Sequence, residues 1–291
     1  MCGRLSKHKK DFLKNYTIEK STEKISSRNI IELKTGKSHI IKILFECIKN
    51  FLNETNIVFT HDTITISNCD SYGNVYIFLE LKAKEFEHYF CDEKRIIGID
   101  VIDLYKISKT TTSSDVLSIF VEYDNPDELI IITENKDSKE VIENRLKTLD
   151  LGQDSLSIPA MEFDSQIVFL SQKFQKICKD FESFKVQELE IRSINTQVIL
   201  SAYKGGEIAR KVVLNSDTVD NDKSTIIIPT YEQDNIYRGI FKLSYFTHFV
   251  KATPLCDKVY LYISNDKPLV IEYNVTQLGS LKFIVNPING M

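Results

Sequence analysis

Gly36-Lys37-Ser38 sits between a strand-like segment and a helix-like one, where a phosphate-binding loop would sit. Such a loop wraps its anion in backbone N–H groups and needs a second glycine five residues upstream. Ile31 stands there, so the backbone cannot cradle a nucleotide. The five histidines (His8, His39, His61, His88, His248) keep no metal-ligand spacing with Cys, Asp or Glu and read as surface or interface residues. The six cysteines (Cys2, Cys47, Cys69, Cys91, Cys178, Cys256) are scattered, which argues against a zinc knuckle or a disulfide framework and for a reducing compartment. There is no Gly-x-Ser-x-Gly elbow, and no acid–base pair can be singled out among 41 Asp and Glu residues. Nothing here requires catalysis, a metal or a cofactor. The residues that do recur in a pattern are lysines, and the chemistry they offer is contact with phosphates.

Those lysines lie on four short stretches with helical spacing. Residues 39–52, after a Ser38 cap, place Ile40, Ile41, Leu44, Phe45, Ile48, Phe51 and Leu52 on one face and Lys42, Glu46 and Lys49 on the other. Val101–Lys109 buries Val101, Leu104 and Tyr105 and presents Asp103, Lys106 and Lys109. Residues 172–181, following Ser171, bury Phe174, Ile177, Cys178 and Phe181 and present Lys173, Lys176 and Lys179. Residues 241–251 bury Leu243, Phe246 and Val250 and present Ser244, Thr247 and Lys251. A solvated helix face explains any one of these; the set is informative because the rest of the body is acidic. Net charge is -4 overall, and residues 1–28 carry eight basic against three acidic residues, so the body is -9. Lysines gathered on one surface of an acidic body can hold DNA without reading its bases.

Around these helices the chain reads as strand: 57–67, 75–81, 116–123, 128–133, 198–202, Thr225–Pro229, 259–264, Leu269–Val275 and 281–285 are β-branched or aromatic runs. Many are bounded by turn signals such as Asp124-Asn125-Pro126 and Asn265-Asp266-Lys267-Pro268. The order is helix, strands, helix, strands, repeated. It implies an α+β chain with two similar domains of antiparallel sheet, each with two helices on one face. The expected divisions are a mobile basic extension (1–28), a first domain (29–147), a connector (148–162) and a second domain (163–291). A length of 291 residues with 42% hydrophobic and 27% charged residues suits such a core, and no apolar run could span a bilayer.

Several segments resemble the proliferating cell nuclear antigen (PCNA) family of DNA sliding clamps. They are Leu149-Asp150-Leu151 through Leu156-Ser157-Ile158-Pro159; Phe174-x-x-Ile177-Cys178-Lys179-Asp180; Phe249-Val250-Lys251-Ala252-Thr253-Pro254-Leu255; Pro268-Leu269-Val270-Ile271-Glu272-Tyr273; and Leu278-Gly279-Ser280-Leu281-Lys282-Phe283. Cys69-Asp70-Ser71 and Tyr89-x-Cys91-Asp92 fit as well, so the likeness covers about 30–288. The resemblance implies a non-enzymatic, cofactor-free processivity factor. Three chains would join head to tail, helices lining the hole, around duplex DNA. It implies DNA-facing Lys42, Lys49, Lys106, Lys109, Lys176, Lys179 and Lys251, to which helical spacing adds Lys173. It further implies a clamp loader and client enzymes, the polymerase first, that carry a glutamine, an aliphatic residue and two aromatics (the PIP motif). The client pocket would use Cys69, Tyr76, Leu156, Ser157, Ile158, Pro159, Phe163, Pro268, Ile284 and Pro287.

The chain departs from the family where a tyrosine of the subunit edge aligns with Asn144, and where a lysine that receives ubiquitin-type modification aligns near Asn195. The basic extension is also unusual. These features suit a large DNA virus or a divergent eukaryote, hence a nucleus or a cytoplasmic viral factory. The alternatives are a checkpoint-type clamp subunit and a monomeric or dimeric viral processivity factor.

Overall fold

The computed structural model describes residues 29–152, 161–194, 197–215, 225–229 (backbone alone) and 236–288. The first half runs β1 (Asn29–Thr35), α1 (Ser38–Ile48), β2 (Glu54–Phe59), β3 (Thr63–Cys69), β4 (Val75–Lys82), β5 (His88–Cys91), β6 (Arg95–Asp100), α2 (Val101–Lys109), β7 (Asp115–Glu122), β8 (Asn125–Asn135) and β9 (Val141–Lys147). The second repeats the plan with β10 (Ser165–Leu170), α3 (Ser171–Ser183), β11 (Glu188–Ile194), β12 (Gln197–Lys204), β13 (Glu207–Asn215), β14 (Thr225–Pro229), β15 (Tyr237–Lys242), α4 (Leu243–Phe249), a 3-10 segment (Val250–Leu255), β16 (Lys258–Ile263), β17 (Leu269–Val275) and β18 (Gly279–Val285). Each half therefore opens on a strand, β1 or β10, not on a helix as the sequence order suggested.

Among the described residues all strand pairings are antiparallel, in three sheets ordered β5-β1-β7-β8-β9, β14-β10-β16-β17-β18-β4-β3-β2-β6 and β13-β12-β11-β15. The nine-stranded sheet joins the halves through β18 and β4, with Leu281 opposite Leu79 and Phe283 opposite Ile77. Gly279 opens that ladder because a Cβ there would stand 1.9 Å from the Glu80 carbonyl oxygen. On the helical side an aromatic seam closes the junction: Phe249 stacks on Phe283 at 4.5 Å and on Phe51 at 5.4 Å. Pairs of this kind add about 0.5–1.5 kcal/mol each beyond the area they bury.

Local details correct the sequence reading. The run 57–67 is two strands, because Thr60 N–H donates to the Thr63 carbonyl at 2.9 Å and turns the chain. Ser38 is not a cap; Lys37 is the N-cap, and the Ser38 hydroxyl donates to the Thr112 carbonyl at 2.8 Å, tying α1 to the end of α2. Ser171 lies inside α3, whose N-cap is Leu170. α4 starts at Leu243 rather than 241, since Phe241 pairs with Leu189 on β11. Tyr105 and Phe51, assigned to buried faces, are only partly buried.

One polar cluster lies on the four-stranded sheet. Arg192 on β11 stands directly opposite Arg238 on β15, an arrangement that repels. Glu190, 1% exposed, resolves it by accepting from Arg238 Nε at 2.6 Å, Arg192 at 2.9 Å and the Tyr203 hydroxyl at 2.9 Å. Burial alone would push this carboxyl up, but the three donors outweigh it and hold it below the ordinary range. Such a depressed acid stabilises the fold above its unfolded pKa, and the contribution fades as pH falls through the folded value. Glu190→Ala should therefore cost about 2 kcal/mol at neutral pH, seen as a lower urea midpoint. The gap to wild type should narrow as pH drops below about 4. Equal midpoints at neutral pH would show that the cluster contributes nothing.

Candidate functional site

The helical segments form one continuous row: α2 packs on α1, α1 on the 3-10 segment, and that segment on α3 and α4. Side-chain bonds lock the row. Gln175 of α3 donates to the Val250 carbonyl at 2.9 Å, and Lys251 Nζ reaches Asn50 Oδ1, beyond α1 in the other half, also at 2.9 Å. With apolar faces turned into the core, the opposite faces share one side of the chain. α2 is positioned by its N-cap, Asp100, whose carboxylate accepts from Asp103 N–H at 2.8 Å.

The eight lysines fall on this row in two groups. On α2, Lys106 and Lys109 are exposed, and Lys106 pairs with Asp103 at 2.7 Å, which raises its pKa and keeps it charged. Lys42 and Lys49, at the flank of α1, are half-buried; Lys42 Nζ lies 3.4 Å from the Thr111 carbonyl and Lys49 Nζ 3.5 Å above the Tyr105 ring. On α3, Lys176 and Lys179 are exposed and Lys173 is half-buried, at three-residue spacing along one face. Lys251 is half-buried beside His248, whose pKa falls through burial first and the neighbouring Lys251 charge second. The row thus offers spaced point charges, the chemistry of phosphate contact. At the P-loop-like triplet, the Gly36 N–H is taken by the Glu87 carboxylate at 2.9 Å.

A second site lies across the nine-stranded sheet. Cys69, Tyr76, Ile284, Val270, Tyr262 and Gln166 are successive cross-strand partners, so they share one face. Cys69, Tyr76 and Ile284 were singled out from the sequence. Val270 and Tyr262 were not, although the inward Leu269, Ile271 and Tyr273 of β17 already required an outward Val270. Phe163 joins the row with its ring 5.7 Å from Tyr262. Burial, then the neighbouring Glu272, pushes the Tyr262 hydroxyl up to about 12, so it stays protonated. Pro268 precedes β17 and Pro287 follows β18, and since Leu269 opposes Val285 the two prolines flank the same end of the sheet. From that end Ile288 N–H donates to the Ile240 carbonyl at 2.7 Å and borders a cavity of about 410 Å³ lined also by Val186, Gln187, Glu188, Lys242 and Ser244. No sequence pattern announced that cavity, because it forms between segments far apart in the chain. Leu156, Ser157, Ile158 and Pro159 lie outside the described residues.

Comparison with known families decides what this architecture is. Residues 30–157 match the family model of the proliferating cell nuclear antigen N-terminal domain, and residues 157–288 match that of its C-terminal domain. The chain belongs to the proliferating cell nuclear antigen family. Its sequence is also similar to a protein of Paramecium bursaria Chlorella virus 1 named "Probable DNA polymerase sliding clamp 1", 25% identical over 272 residues that cover 89% of this chain and 97% of that protein. PCNA-family clamps are scaffolds rather than enzymes. Within this family setting Asn144 stands on β9, the terminal strand of the five-stranded sheet, opposite Ile131. Asn195 lies outside the described residues.

Proposed function

We infer that the chain is a DNA sliding clamp, a processivity factor of DNA replication that keeps a polymerase on duplex DNA. The observation that carries this is the match of both PCNA domain models to a chain whose lysine-bearing helices form one row. The helical row faces the duplex, and Lys42, Lys49, Lys106, Lys109, Lys173, Lys176, Lys179 and Lys251 touch phosphates. The protein itself catalyses nothing and needs no cofactor; a clamp loader opens it. Clients dock by the PIP motif against Cys69, Tyr76, Phe163, Pro268, Ile284, Pro287 and the connector residues Leu156, Ser157, Ile158 and Pro159. It works where the DNA is replicated, in a nucleus or a viral factory.

The working form is a head-to-tail homotrimer. β9 and β13 each end a sheet, and each carries exposed aliphatic side chains: Val141 and Ile142 on one, Ile208 and Val213 on the other. Unpaired edges of this kind invite a partner strand. Joining residues 141–146 of one chain to 208–214 of the next would fuse the five-stranded and four-stranded sheets across the boundary, matching the nine-stranded sheet inside each chain. Two different surfaces meet, so the contact propagates from chain to chain, and it closes into a ring of three when each contact turns the chain by a third of a circle. Light scattering should give about three times 33.6 kDa at micromolar concentration. A one-chain or two-chain mass would refute the trimer and favour a specialised subunit, to which the loss of the edge tyrosine at Asn144 would then point.

A further inference from the structure

The two halves match element for element, so the junction inside the chain is a template for a junction between chains. β1, α1, β2, β3 and β4 correspond to β10, α3, β11, β12 and β13, and β7, β8 and β9 to β16, β17 and β18. β4 and β13 therefore hold the same place, as do β18 and β9. β18 pairs with β4 inside the chain, while β9 and β13 end their sheets. Single residues match as well. Thr35 and Phe169, both fully buried, are the last inward residues of β1 and β10. Across their sheets Thr35 leads through Leu117 and Thr133 to Ile142, and Phe169 leads through Val259 and Tyr273 to Leu281. Ile142 thus stands where Leu281 stands. At the other edge Thr60 meets Thr63 as Ile194 meets Gln197, so Ile64 corresponds to Val198 and Ile66 to Leu200. Their partners Leu79 and Val212 correspond in turn. Inside the chain Leu281 lies opposite Leu79.

We infer that β9 of one chain and β13 of the next pair antiparallel in that same register, with Val141 opposite Val213, Ile142 opposite Val212, Glu143 opposite Lys211 and Asn144 opposite Arg210. This rests on the head-to-tail reading above. The side chains of the two edges complement each other at these positions. Val141 and Val213 are exposed aliphatics on the outer face. Ile142 and Val212 lie on the core side, opposite Thr133 and Leu200 within their own sheets. Glu143, which accepts from Arg145 Nε at 2.7 Å, meets a second cation in Lys211. Arg210 is held ready on its own chain, its guanidinium 5.1 Å over the Phe184 ring and 3.8 Å from Asp180. The short amide of Asn144 leaves it room and offers an acceptor. The counterparts inside the chain, Phe283 and Ile77, are both apolar. The polar pairs make the edge selective for a second copy of this chain. β13 shifts register against β12 between Arg210 and Ile208, so the pairing is counted from Arg210 to Leu214. A one-residue slip would set the core side of one strand against the outer side of the other. A two-residue slip would set Arg145 against Lys211 in one direction and Val141 against Lys211 in the other.

Cross-linking of the full chain tests the register. Opposed Cα atoms of an antiparallel pair stand about 4.5–5.5 Å apart, within disulfide reach. Val141→Cys with Val213→Cys, oxidised by diamide, should therefore give bands of two and three chains on a denaturing, non-reducing gel. The wild-type chain, with its native cysteines, is the baseline. Val141→Cys with Lys211→Cys or with Asn215→Cys, the two slipped pairings, should stay at that baseline. Cross-linking of a slipped pair as complete as that of the valine positions overturns the register. Asn144→Asp gives Arg210 a carboxylate and should lower the concentration at which the trimer comes apart by about fivefold at low salt. Arg210→Gln should abolish that gain. No gain, or a gain that survives Arg210→Gln, overturns the contact between Asn144 and Arg210. A wild-type mass of one chain would instead sink the head-to-tail reading on which both rest.

Discussion

Reversing two neighbouring charges, Lys176→Glu with Lys179→Glu, is expected to weaken duplex contact on the order of a hundredfold at low salt and to remove most polymerase stimulation, whatever the DNA sequence. Both side chains are exposed on α3, on the face opposite the buried Phe174, Ile177, Cys178 and Phe181. Exposure matters: neither ammonium has to leave a buried partner to reach a phosphate, whereas Lys49 would have to leave the Tyr105 ring. Each reversal replaces an attraction with a repulsion, about 2 kcal/mol per lysine before screening. Losing two phosphate contacts should also flatten the dependence of log affinity on log salt by about two units. The double variant should still assemble, since the ion pair that ties α3 to β13, Asp180 with Arg210 at 3.8 Å, keeps both its partners. Full stimulation by an assembled double variant would take the DNA off this face. A loss confined to certain sequences would mean base readout, which a sliding protein cannot use.

The second large effect is expected at the connector. Ile158→Ala should weaken a client peptide by well over tenfold, because an anchor that buries an aromatic plug typically carries about 2 kcal/mol or more. Tyr76→Ala, opposite Ile284 in the cross-strand row, should act in the same direction. If the apolar connector residues serve mainly to pin the connector to the body, Ile158→Ala would instead lower stability or disturb assembly. Calorimetry with the peptide, run beside a mass measurement of each variant, separates the two. Unchanged affinity for both variants would move docking elsewhere, and the cavity beside Ile288, Lys242 and Ser244 is then the place to look. A collapsed assembly would make the connector structural first.

Much of this architecture was written locally. The apolar stripe of α1 (Ile40, Ile41, Leu44, Ile48) and that of α3 (Phe174, Ile177, Phe181) follow from 3.6-residue spacing, and the lysines opposite them follow from the same arithmetic. The β-branched runs located most strands of the second half, and the body's acidity against its lysine faces pointed to phosphate contact before any fold was known. Where the reading slipped, a partner distant in sequence had decided. Ser38 looks like a cap, yet its hydroxyl goes to Thr112, 74 residues on. Phe241 has helical spacing, yet it is held in a strand by Leu189. The break in 57–67 came from one turn bond at Thr60, and the short β5 and the more polar β11 depended on their neighbours for a reason to be strands.

The sequence by itself determined two repeated halves, their four helices and the side of each helix that carries charge, because these are properties of residues three and four apart. Tertiary structure alone decided the rest. It joined β18 to β4 so that one sheet spans both halves, aligned Cys69, Tyr76, Ile284, Val270 and Tyr262 in a single row, and laid Leu149 over Gly98. Those arrangements depend on strand register and on backbone atoms meeting from distant parts of the chain. A period-two pattern fixes which face a side chain takes, but not which strand lies beside it.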